Sequence, residues 1–190
     1  MWRPAEPLAV PAGVASVAVS AGYVDAVLTR PNNVTAYAAN QVYGAAANAR
    51  FSFVVPQPAN PSRLRSPNVN NLQFTGIQTA NAGGLSGLLH LFTAAPNILG
   101  DQAAFDLDAA SASVNLPVTN TLNLGTGALL NAGAGLAGRR VAGGLTFTTG
   151  NFFAPGDTVW GYFVVGGVYN PLALESLTIR VHVQYSEWVF

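Results

Sequence analysis

Polar and apolar residues alternate most regularly over residues 177–186. Leu177, Ile179, Val181, Val183 and Tyr185 share one parity, and Thr178, Arg180, His182, Gln184 and Ser186 share the other. Successive side chains of a strand point to opposite faces, so this segment buries one face and wets the other. That is the signature of an antiparallel sheet solvated on one side. The same reading predicts strands over residues 14–19, 50–55 (Phe51, Phe53 and Val55 on one side), 72–79, 87–93 and 145–149. A less regular strand is predicted over 34–43. Residues 114–124 are β-like but broken by Pro117, which favours an edge strand or a bulge. Residues 157–166 carry Val159, Trp160, Tyr162, Phe163, Val164 and Val165 and are apolar on both faces. Such a strand belongs in the middle of a sandwich or under a neighbouring subunit. Residues 101–110 predict a short helix or turn, with Asp106 and Asp108 at positions suited to an Asx turn or N-cap.

Short strands at this density, with turns between them, predict an all-β chain: an antiparallel β-sandwich of jelly-roll type. Residues 1–12, with Pro4, Pro7 and Pro11, predict an extended Pro-rich N-terminal arm of roughly 35 to 40 Å reach. Residues 13–190 make the single sandwich domain. The Gly-Ala-Leu tract over 125–144 reads as a long loop with room for a short edge strand.

Composition narrows the function classes. Half of the 190 residues are hydrophobic and only 8% are charged, against a usual quarter. The eight basic residues are all Arg and balance eight acidic ones. There is no basic field for nucleic acid. So weakly charged a surface suits a protein that lives in an assembly. Cysteine is absent, which excludes disulfides and thiol catalysis. No run approaches the ~18 to 20 apolar residues of a membrane span, and no signal peptide is evident.

The candidate chemistry is sparse, and the reading is that of a non-enzyme without a cofactor. Residues 133–138 (GAGLAG) match the spacing of dinucleotide-binding glycines but lack a strand–helix context, and Arg139-Arg140 follow as turn or interface residues. Residues 84–87 (GLSG) miss the last glycine of a nucleophile elbow. His90 and His182 are the only histidines, a poor metal inventory. Asp101, Asp106 and Asp108 lack the glycine and glutamate of a calcium loop. Asn33-Val34-Thr35 fits a glycosylation sequon. Arg63 and Arg65 lie in a Pro-rich loop. Trp160 and Tyr162 share a parity opposite Phe163, which allows a second core face, an oligomer contact or a sugar-stacking platform. The candidate partner contacts are Trp2, Arg3, Trp160, Tyr162, Trp188 and Phe190, aromatic and Arg residues of the kind that anchor interfaces.

Five segments in order carry a resemblance: 35–42 (TAYAANQV), 88–96 (LLHLFTAAP), 101–107 (DQAAFDL), 160–164 (WGYFV) and 169–171 (YNP). They resemble a family of small structural proteins of tailed bacteriophages, found among head-decoration (cement) and related virion proteins. The resemblance implies a jelly roll that joins copies of itself, as a homodimer or homotrimer, on a lattice of major capsid protein. It implies a location on the phage head surface; the lack of an export signal makes the host bacterial cytoplasm the expected place of synthesis, and the balanced charge and short apolar runs predict no nucleic-acid or membrane partner. The arm, the Gly-Ala tract and the lack of Lys depart from that pattern. The alternatives are a tail, baseplate or fibre component, a carbohydrate-binding sandwich using Trp160 and Tyr162, and a hydrolase using His90 or His182.

Overall fold

The computed structural model describes residues 16–57, 68–79, 84–124, 128–129, 140–148 and 153–188. They form strands β1 (Ser16–Thr29), β2 (Gln41–Tyr43), β3 (Phe51–Val54), β4 (Asn68–Thr79), β5 (Ser86–Phe92), β6 (Asn115–Asn123), β7 (Ala128–Leu129), β8 (Arg140–Thr148), β9 (Thr158–Val165) and β10 (Ser176–Trp188), with one short helix, α1 (Ala109–Ser113). The first sheet runs β1-β10-β4-β8-β7. The second runs β2-β9-β5-β6, with β3 also on β9. Every pairing is antiparallel.

The pairs are nested. Innermost is β5 with β6, then β4 with β8, then β2 and β3 with β9, and outermost β1 with β10. The ladders β10–β4 and β9–β5 then join the rolled ribbon into two sheets. This winding is that of a jelly roll, so the predicted antiparallel sandwich is what forms. The predicted arm over residues 1–12 lies outside the described residues.

The core fills the space between the sheets. Leu177, Ile179, Val181, Val183 and Tyr185 of β10 are all fully buried, as their parity predicts. They join Leu72 and Phe74 of β4 and face Leu89, Leu91, Val159, Phe163 and Val165 of the second sheet. Tyr185 also ties the sheets together: its hydroxyl donates to the Pro56 carbonyl, and burial pushes the phenol up to about 12. Two glycines permit close packing. Gly161 leaves room for the ring of its cross-strand partner Phe51, and Gly76 leaves room for Leu122 of the opposite sheet; a Cβ at either would clash.

Three expectations change. Of the strand predicted at 14–19, residues 16–19 open β1, which runs on to Thr29, and residues 14 and 15 lie outside the described residues. A register shift between Ser20 and Tyr23 flips the parity, hiding its second half from an alternation reading. Residues 34–40 are mostly loop. Tyr37 makes a single bridge to Tyr169, Asn40 adopts a left-handed backbone (φ 66°), and only 41–43 pair as a strand. The strand predicted at 145–149 begins earlier, at Arg140, inside the tract read as loop; β7 is the short edge strand of that tract.

Candidate functional site

Two features stand out: a covered face and a cross-linked loop end. On β9, Val159, Phe163 and Val165 point into the sandwich, while Trp160, Tyr162 and Val164 point outward. The outward set is covered by the flap of residues 93–114. Val42, Ala49, Phe92, Tyr162 and Val164 form a second core there, with Leu99, Phe105, Leu107, Val114 and Trp160 packed against it. The flap is fastened at several points. The Tyr162 hydroxyl donates to the Asn97 carbonyl at 2.6 Å and accepts from the Leu99 N–H at 2.9 Å. Burial pushes that phenol up. Residues 101–105 add to the outer side of β2 through Val42 N–H to Ala103, Gln102 N–H to Val42 and Phe105 N–H to Asn40. Helix α1 is capped by Asp108, whose Oδ1 accepts from Ser111 N–H at 2.7 Å. The Ser111 hydroxyl, with that N–H, holds the carboxyl below the usual carboxylate range.

This placement revises the platform expected of Trp160 and Tyr162. Tyr162 is fully buried; both ring and hydroxyl are taken by this chain's own flap, leaving nothing for a sugar or a partner. Trp160 is half-buried beneath the Arg50 guanidinium, 5.2 Å from its ring, and Arg50 donates to the Pro96 carbonyl at 2.7 Å. Of the other expected contacts, Trp188 pairs with Ser16 at the end of the β1–β10 ladder. Trp2, Arg3 and Phe190 lie outside the described residues, as do Arg63, Arg65 and the glycines at 133–138.

The loop end lies where β1, β4 and β9 finish and β5 and β10 begin. There Arg30, 1% exposed, reaches into the loops. Its Nε donates to the Tyr37 hydroxyl at 2.6 Å, and its terminal nitrogens to Asn33 Oδ1 at 2.9 Å, to the Asn33 and Leu172 carbonyls at 3.2 and 3.3 Å, and to Asp101 at 3.3 Å. Tyr37 donates in turn to Asp101, which also accepts from Gly44 N–H at 3.1 Å. Beside this web sits Glu175, fully buried. It accepts from Gln78 at 2.9 Å, Tyr43 at 3.2 Å, Tyr169 at 2.5 Å and the Leu172 N–H at 3.1 Å. Tyr37 and Tyr43 stack at 5.6 Å and connect the two halves. Burial, reinforced by the adjacent carboxylates, holds both phenols far above their ordinary range. A buried ion is tolerable only when so fully bonded. The web therefore acts as a brace: it fixes loops 30–37, 99–102 and 168–175 against one another.

On those braced loops sit exposed apolar side chains: Val168 (83% exposed), Val34 (67%), Leu174 (60%) and Leu172 (46%). The loops bearing them are laced by the Tyr37–Tyr169 bridge and by Leu174 N–H to Pro31.

The histidines do not meet. His90 is on the outer face of the second sheet, with its ring 4.3 Å from Phe105 and Nδ1 against the Asn115 amide. His182 is on the outer face of the first sheet, beside Tyr23. The sandwich lies between them, so they cannot share one reaction centre. Among the described residues no group of His, Cys, Asp or Glu is placed to hold a metal ion. Among the same described residues no helix is long and apolar enough to cross a membrane. Sequence reasoning missed Arg30, Asp101, Glu175 and the loop apolars as a unit. The one local signal is an Arg directly after the apolar end of β1.

No family model and no curated protein matches this chain. Solved structures of virus particles do. A chain of Desmodium yellow mottle tymovirus is 12% identical with a TM-score of 0.34, covering 98% of this chain and 96% of that one. A chain of Israeli acute paralysis virus, from a full particle heated to 63 degrees, is 13% identical with a TM-score of 0.35, covering 92% and 74%. A chain of the native Kashmir bee virus virion is 14% identical with a TM-score of 0.31, covering 99% and 83%. Likeness at that level carries no argument about function; the jelly-roll assignment rests on the strand order.

Proposed function

We propose that this chain is a structural component of a virus particle: a capsid decoration protein that binds the outside of an assembled phage head and bridges neighbouring capsomers, with the major capsid protein and copies of itself as partners. The observation that carries the reading is the loop end, where a buried polar brace holds exposed apolar side chains rigidly in place. Pre-ordered loops lose little entropy on docking, and exposed apolar residues rimmed by polar ones mark interaction sites. The phage head as the setting rests on the resemblance of the five sequence segments. A jelly roll alone does not specify a function.

The mechanism is mass action. A subunit that binds only the assembled shell stabilises it by RT ln(1 + [L]/Kd) per site, about 2.7 kcal/mol at a hundredfold excess over Kd. Many symmetric copies make modest contacts effective. The test adds purified protein to heads that lack it. Saturable binding and a higher temperature of head disruption are expected, and Val168→Glu with Leu174→Glu should weaken binding about tenfold or more while leaving the fold intact. Binding to tails instead would move the protein to the tail or fibre reading. Binding to neither would end the virion reading.

A further inference from the structure

A sheet edge is a row of backbone donors and acceptors ready to pair, and proteins blunt such edges with short strands, proline, charge or a covering loop. Four of the five edge strands described here are blunted. β2 is covered by residues 101–105. β3 and β7 are four and two residues long. β6 carries Pro117 and a register shift. β1 differs: it has 14 residues, no proline and no Lys or Arg, and its one register shift, between Ser20 and Tyr23, leaves it paired with β10 on both sides of the shift. Its single charge, Asp25, is already in a bidentate pair with Arg180 at 2.8 Å. No described strand pairs its outer side, and two of its exposed residues, Tyr23 and Val27, are large and apolar or aromatic, beside exposed Asp25 and Thr29.

We infer that β1 is a self-association edge, on which a second copy of this chain adds its own β1 antiparallel, making the two first sheets one continuous sheet across a two-fold axis. The inference rests on the self-association in the reading above. The occupant follows from the edges: β1 is long, and the one described edge that matches its length and carries neither proline nor a covering loop is β1 of another copy. Antiparallel pairing of a strand with itself is isologous and closes at two copies. The area suffices. At about 3.3 Å per residue, β1 runs roughly 46 Å along a wall about 10 to 15 Å thick, on the order of 500 to 700 Å² per copy. Twice that reaches the ~1,000 Å² expected of a specific interface.

The test uses the full chain. Sedimentation at tens of micromolar should show a dimer. In a strand, neighbouring residues aim their N–H groups to opposite sides, so one of Ala26→Pro and Val27→Pro keeps the β10 ladder and blocks the new one. The variant that keeps the wild-type unfolding midpoint should dissociate at least tenfold more readily. The chain has no cysteine, so single cysteines at residues 23–27 give a second, independent readout. Oxidation should link two copies at one or more of these positions, and a Val168→Cys control should not link. A monomer at those concentrations, a dimer linked only through Val168→Cys, or β1 amides protected from exchange in a monomer (the chain's own remaining residues covering the edge) each overturns the inference. A dimer that forms yet fails to bind heads upholds it and rejects the decoration reading.

Discussion

The outer faces of the two sheets are treated differently. β10, at the heart of the first sheet, turns Thr178, Arg180, His182 and Gln184 outward, all half-exposed and uncovered by the flap. β9, at the heart of the second, turns Trp160, Tyr162 and Val164 outward beneath the flap of residues 93–114. The strand pattern decides the difference. An alternating strand needs no cover; a strand apolar on both faces does, and here the same chain supplies it. Apolar outward residues in a sequence therefore mark a covered face without saying whether the cover is a partner or the chain itself.

The largest test of this contrast is Tyr162→Ala. It removes a buried ring and both flap bonds, and about 3 to 5 kcal/mol of stability should be lost in denaturant unfolding. His182→Ala, central on the other outer face, should change stability by no more than about 0.5 kcal/mol. Equal losses would mean that the first sheet is covered as well. Next comes Asp108→Ala, which uncaps α1 inside the flap and should loosen it, read as faster proteolysis within 93–114.

The acid response sharpens the same contrast. Burial under Phe105 lowers the His90 pKa, the Asn115 hydrogen bond offsetting part of that effect. The unfolded chain then binds the proton more readily than the folded one. Stability is full above the free imidazole value of about 6.5 and falls as pH drops through it. Unfolding midpoints at pH 8 and pH 5 should differ by more in the wild type than in His90→Phe. A small effect is expected at Arg180→Ala. Its pair with Asp25 is exposed at roughly a third on each side, so about 0.2 to 1 kcal/mol should be lost, less at high salt.

The sequence was legible where local pattern and tertiary role agree. β10, β5 and β3 alternate, and the cap at Asp108 and the break at Pro117 act over a few residues. It was opaque where partners are far apart. Arg30 meets Asp101 across 71 residues and Tyr43 meets Glu175 across 132, and no periodicity reports such pairs. The stretch around Tyr37 has strand-like composition, yet the brace draws that ring out of any regular strand. Ala21-Gly22, at the bulge of β1, erased the alternation that would have extended that strand to Thr29. For Trp160 and Tyr162, parity rightly set them apart from Phe163 and left open what would cover them.

The nested pairing has a consequence for biosynthesis. β10 is the last of the ten described strands to be made, yet it stands between β1 and β4. Asp25 must wait 155 residues for Arg180. Until that strand leaves the ribosome, the first sheet is two unjoined pieces and its half of the core has no wall. Closure on so long a loop is slow, so the growing chain needs shielding from its neighbours for most of its synthesis, and a stall shortly before residue 176 would yield a product unable to close.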